Sequence, residues 1–144
     1  MENDGYNGQD AALLVCVDGV EDGRIFGRVC SGRLTKSLAF SDPALLLLQL
    51  DGVLDRQNFP QAFQRARSFT GRREEATLAA RCPAEGMTPE AVAAACGALG
   101  SFRLCIFSRR HGTWQGSLDW LDGSPPLPFQ SELELLKQVE EHRF

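Results

Sequence analysis

The sequence predicts an α+β fold built from two pseudo-symmetric β-β-β-α repeats, mostly antiparallel in strand, with a helical insert between them. Three observations predict it. The chain matches itself at a constant offset of 89, residues 13–55 aligning without a gap onto 102–144, with identities at Cys16/Cys105, Gly23/Gly112, Gly27/Gly116, Leu38/Leu127, Phe40/Phe129, Leu46/Leu135, Leu47/Leu136 and Gln49/Gln138. Each copy opens on apolar residues that recur at every second position, the period of a strand with one buried face. Each copy closes on a capped helix with an apolar stripe. Residues 11–144 therefore read as one domain, with repeat 1 at 12–55, a basic helical insert and connector at 56–101, and repeat 2 at 102–144. Residues 1–10 read as a disordered tail.

In the first copy Leu13, Val15 and Val17 alternate with Leu14, Cys16 and Asp18; in the second, Phe102, Leu104 and Ile106 alternate with Arg103, Cys105 and Phe107. Turn signals follow, Asp22-Gly23 and His111-Gly112, because glycine accepts the positive φ of a tight hairpin. Second strands are expected from Arg24 to Ser31 and from Thr113 to Leu121, then short extended pieces at Ser37 to Phe40 and Leu127 to Phe129. Ser41-Asp42-Pro43 supplies a cap and a first-turn proline for one helix, and Ser131-Glu132-Leu133-Glu134 a capping box for the other.

The two helices differ on their backs. Where the second has Glu134, Lys137, His142 and Arg143, the first has Leu45, Leu48, Val53 and Leu54, so the helix over 42–54 is apolar nearly all round. A helix of that kind is buried on every side. Its cover is either the insert, whose Phe59, Ala62, Phe63 and Ala66 form a stripe, or a second copy of the chain. Leu45, Leu48, Val53 and Leu54 are thus candidate interface residues. The insert continues through a Gly71, Arg72-Arg73-Glu74-Glu75, Pro83 and Gly86 connector to an alanine-rich helix over Ala91 to Leu99, capped by Thr88.

Composition excludes several classes. The chain has 144 residues, 43% hydrophobic and 24% charged, which is neither disordered nor fibrous. No apolar run reaches the roughly 20 residues of a membrane-spanning helix. Five cysteines without CxxC spacing, and an acidic, polar start at Met1 to Gly5, point to a reducing, cytoplasmic setting. Two histidines, His111 and His142, have no Cys pair at zinc spacing, and no metal or cofactor is expected. Phosphate-binding, dinucleotide, zinc-protease and hydrolase motifs are all missing, and no catalytic residue is assigned.

Charge is uneven beneath a net −4, since residues 56–81 hold six Arg and two Glu between two acidic halves. Two candidate partner-binding groups follow. Arg24, Phe26 and Arg28 alternate on the strand face opposite the core, near Cys16, where arginine flanking an aromatic can stack and pair. Arg65, Arg67, Arg72 and Arg73 cluster after the phenylalanine stripe and would suit phosphates, although the acidic halves oppose non-specific nucleic-acid binding. Trp114 and Trp120 lie on one side of a strand around Gly116, a pattern of core packing.

The strings Gly112-Thr113-Trp114-Gln115-Gly116, Trp120-Leu121 and Ser131 to Leu136, with Asn58-Phe59-Pro60-Gln61-Ala62-Phe63-Gln64-Arg65, resemble a small group of uncharacterised clostridial-type bacterial proteins. The resemblance implies bacterial origin and carries no activity. Together these readings predict a non-enzymatic regulatory or adaptor module binding a protein partner, or itself as a homodimer. Nucleic-acid binding through the Arg-rich insert is the alternative.

Overall fold

The computed structural model describes residues 12–57, 79–80, 82–109 and 112–142. Their fold is α+β, with one six-stranded antiparallel sheet in the order β3-β2-β1-β4-β5-β6. The strands are β1 (Leu13–Glu21), β2 (Arg24–Cys30), β3 (Leu38–Phe40), β4 (Gly100–Ser108), β5 (Gln115–Asp119) and β6 (Leu127–Phe129). Helix α1 spans Pro43–Gln57, α2 Pro89–Ala94 and α3 Glu132–Glu141. No helix among the described residues is long and apolar enough to cross a membrane.

The two long strands β1 and β4 pair at the centre, Leu13 opposite Leu104 and Val17 opposite Gly100. The β1–β2 hairpin closes on Asp22 and Gly23, both with left-handed φ (54° and 77°). Positive φ at both central residues matches the twist of the flanking strands. Glycine also sets the spacing inside the sheet. A Cβ on Gly27 would lie 1.9 Å from the Cys16 carbonyl oxygen, and one on Gly116 2.0 Å from that of Cys105. Each glycine pairs across its other edge with a phenylalanine, Phe40 or Phe129. Both long strands carry a register shift just beyond these glycines, between Val17 and Gly19 and between Ile106 and Ser108.

One face of the sheet carries the core. Leu13, Val15, Val17, Phe102, Leu104 and Ile106 are buried there beneath Leu46, Leu50, Val53 and Leu54 of α1 and Leu135 and Val139 of α3. Each such side chain contributes about 1.5–3 kcal/mol by leaving water. Asp42 caps α1, its Oδ1 accepting from Leu45 N at 2.8 Å. Ser131 Oγ accepts from Glu134 N at 3.1 Å to cap α3, while Glu134 reaches back to Gln130 N.

The C-terminal end of α1 is held by two buried arginines from separate loops. Arg109 Nη1 donates to Asp55 Oδ1 at 2.7 Å and its Nη2 to the Leu54 carbonyl at 3.3 Å. Arg33 Nε donates to Gln57 Oε1 at 2.7 Å, and Gln57 Nε2 donates to the carbonyls of Arg33 and Ala80 at 2.7 and 2.8 Å. Cations at this end also meet the unpaired carbonyls and the negative pole of the helix. Leu34 bridges to Ala79 beside them.

Three expectations are corrected. Helix α1 is not covered all round: Leu48 is 55% exposed, because the buried stripe runs through Leu46, Leu50, Val53 and Leu54 on one side only. The alanine-rich helix stops at Ala94 rather than Leu99, since the backbone of 97–99 is engaged by β1 and its neighbours. Strand β5 is shorter than Thr113–Leu121, because Trp114 N donates to Glu132 Oε1 at 3.1 Å and Leu121 turns to a φ of 60°.

Candidate functional site on the open face of the sheet

With α1 and α3 on one face, strict alternation sends Leu14, Cys16 and Asp18 of β1 to the other. Arg24, Phe26, Arg28 and Cys30 of β2 share that side, as do Ser101, Arg103 and Cys105 of β4 and Ser117 and Asp119 of β5. The structure thus brings the predicted trio Arg24, Phe26 and Arg28 together. Arg24 is exposed beside the hairpin, opposite Glu21. The Phe26 ring lies over Gly19, where a Cβ would sit 2.5 Å from it, and stays 36% exposed. Arg28 is half-buried and engaged, its Nη1 donating to both Asp18 oxygens at 3.0 and 2.8 Å and its Nη2 to the Cys96 carbonyl at 3.0 Å. Those bonds to Asp18 hold the guanidinium more firmly protonated.

The face extends to residues that the sequence reading did not single out. Phe107 is the extra residue at the β4 irregularity, beside Ser108, whose Oγ donates to Gln115 Oε1 at 2.7 Å. It is 67% exposed, more than any other large hydrophobic described. Arg103, four residues earlier on the same strand, is exposed and lies 4.0 Å from Asp119. The alternation that set Phe107 opposite to Ile106 was the signal that could have found it.

Burial pushes the Cys16 and Cys105 thiols up, so both are protonated at neutral pH and are poor nucleophiles. All five cysteines are free. Among the described residues no three His, Cys, Asp or Glu side chains gather in a way that could hold a metal ion.

The remaining candidates fall elsewhere. Val53 and Leu54 are fully buried in the core of this chain, Leu45 is half-buried, and only Leu48 offers a broad apolar surface. Arg65, Arg67, Arg72, Arg73 and His111 lie outside the described residues, as do Phe59, Ala62, Phe63 and Ala66 and the 1–10 tail. Trp114 packs in the core. Trp120 stacks on His142 with ring centroids 3.6 Å apart and meets Phe102 edge-on at 5.1 Å. No family model, curated protein or solved structure gives a significant match to the chain.

Proposed function

We propose that this chain is a non-enzymatic adaptor that binds a protein partner through the open face of its sheet. The observation that carries the reading is Phe107, a two-thirds exposed aromatic at a strand irregularity on the face opposite both packed helices. Aromatics and arginines are enriched where proteins meet; Arg103 is exposed on the same strand as Phe107, four residues earlier, and Phe26 has Arg24 and Arg28 on its own strand. The register sets Phe26 at the hairpin end of β1 and Phe107 beyond its start, roughly 30 Å apart at the rise of a strand. That span matches the side of a standard interface, about 800 Å² per partner.

Edge-to-edge strand pairing is the less suited mode. Both edge strands, β3 and β6, are three residues long, and β6 carries Pro128. We read the scaffold itself as two copies of a β-β-β-α unit, 12–55 and 102–144. The self-match at offset 89 and the like contacts of Gly27 and Gly116 support this. The free thiols support action in a reducing, cytoplasmic setting.

The test is capture of partners from lysate, with and without nuclease treatment, by the intact protein and by Phe107→Asp, with light scattering alongside. Proteins retained by the native chain and lost with Phe107→Asp are the expected result. Identical capture by both, or partners that vanish with nuclease, would overturn the reading, the second in favour of nucleic-acid binding. A concentration-dependent dimer lost in Phe107→Asp would identify a second copy as the partner.

A further inference from the structure

Cys16 is fully buried although it lies on the face opposite both packed helices. Three strands bring Arg28, Cys16 and Ser101 abreast, for Cys16 has Arg28 as its partner on β2 and Ser101 on β4. Both flanking side chains bond to one passing stretch of backbone. Arg28 Nη2 donates to the Cys96 carbonyl at 3.0 Å, and Gly97 N donates to Ser101 Oγ at 3.1 Å. Residues 96 and 97 therefore run across the Cys16 thiol.

The crossing is fastened at few points. Asp18 Oδ1 accepts from Ala98 N at 3.3 Å while its carboxylate holds Arg28, and Leu99 N donates to the Val17 carbonyl at 2.9 Å. Gly97 is pressed onto the strand, since a Cβ there would lie 2.4 Å from Val17 N and 2.3 Å from Val17 O. Upstream, α2 buries none of its residues, and Cys96, Ala98 and Leu99 are exposed. A segment tied by a handful of polar bonds, with no apolar anchor, opens at lower free energy than the sheet it crosses.

We propose that residues 95–99 form a detachable strap across the centre of the open face, opening independently of the sheet, uncovering Cys16 and clearing the middle of the partner-binding surface. The clearing of a partner surface rests on the function proposed above; the opening itself does not, and it is tested without any partner. Cys96 sits on the strap and is exposed in either state, so it serves as an internal reference.

The experiment is iodoacetamide alkylation of the intact protein, followed by peptide mass spectrometry, together with backbone hydrogen exchange. In the native chain Cys96 reacts fast and Cys16 slowly. Asp18→Ala removes the tie to Ala98 and the carboxylate that holds Arg28 without shortening any side chain over the thiol, and Gly97→Ala forces the strap up. Each is expected to raise the Cys16 rate roughly tenfold with Cys96 unchanged and the thermal midpoint nearly constant. The amides of Gly97, Ala98 and Leu99 exchange well ahead of those pairing β1 with β4. A Cys16 rate unchanged in both variants would overturn the strap. So would exchange of those three amides only at the rate of the central ladder. A strap that opens as expected, beside unchanged partner capture by Phe107→Asp, would retire the docking reading and leave the strap standing.

Discussion

Replacing Gly116 by alanine tests how the sheet is put together. The new methyl carbon would begin 2.0 Å from the Cys105 carbonyl oxygen, and backbone atoms of Cys105 and Ile106 lie 3.0 Å away. Ordinary contact needs β4 and β5 to part by about 1.5 Å, in an interior that packs like an organic crystal. Strands normally lie about 4.8 Å apart, so a shift of that size breaks the adjoining ladder bonds. Two such bonds at about 1 kcal/mol each, with a small overpacking term, bring the cost to about 3 kcal/mol. For a chain of this size that lowers the melting temperature by about 9 °C. Gly27→Ala meets the Cys16 carbonyl oxygen at 1.9 Å and is expected to cost the same. Gly112→Ala is the control, because Gly112 has a φ of 78° and nothing within 4 Å; left-handed strain alone costs about 1 kcal/mol. Urea and thermal melts by circular dichroism read all three. Gly116→Ala within about 2 °C of the parent would refute the clash, and unequal costs at Gly27 and Gly116 would count against two copies of one unit.

Further outcomes follow from other groups. Arg109→Ala removes the donor to Asp55, itself 37% exposed, and to the Leu54 carbonyl, and is expected to lower stability by about 2 kcal/mol in urea melts. Leu50→Ala, on the buried stripe of α1, costs about 2–5 kcal/mol by the same assay, whereas Leu48→Ala costs under about 0.5 kcal/mol because most of that side chain is already in water. Burial raises the Cys16 thiol above its unfolded value. Its contribution is therefore complete below the unfolded thiol range and is lost as pH rises through the folded value, so the urea midpoint falls from pH 8 to pH 10 and falls less in Cys16→Ala. Asp122 is held below the usual carboxylate range by the Ser124 hydroxyl and backbone N–H. The turn at 121–124 is thus expected to keep its nuclear magnetic resonance shifts through mild acid and to change only as pH falls through that lowered value.

Much of the scaffold was legible because its signals are local. Alternation at Leu13, Val15 and Val17 needs only the pleat, the Asp22-Gly23 turn only a left-handed φ, and the Asp42 and Ser131 caps only an orphan amide three residues on. What sequence could not show are bonds between distant residues. Nothing around Arg109 announces Asp55, 54 positions earlier, and nothing around Cys96 announces Arg28, 68 positions away. The helix forecast over Ala91 to Leu99 followed propensity. It ended early because the chain from Gly97 on bonds to β1 and β4, and tertiary partners outweigh a preference of a few tenths of a kcal/mol per alanine. Leu48 was misjudged for a related reason: four leucines in a row circle a helix, and only packing decides which of them stays outside. On the open face Arg24, Phe26 and Arg28 followed from alternation alone. Phe107 obeyed the same rule, and Arg28 turned out to be committed to Asp18 and the Cys96 carbonyl.

The clasp of Gln57, Arg33 and Ala80 makes position 57 and position 80 neighbours in space. Any stretch joining the two positions closes its loop at that clasp. Each doubling of that excursion adds only about 0.6 kcal/mol of closure entropy. Added residues between the two positions are therefore expected to cost the clasp itself little.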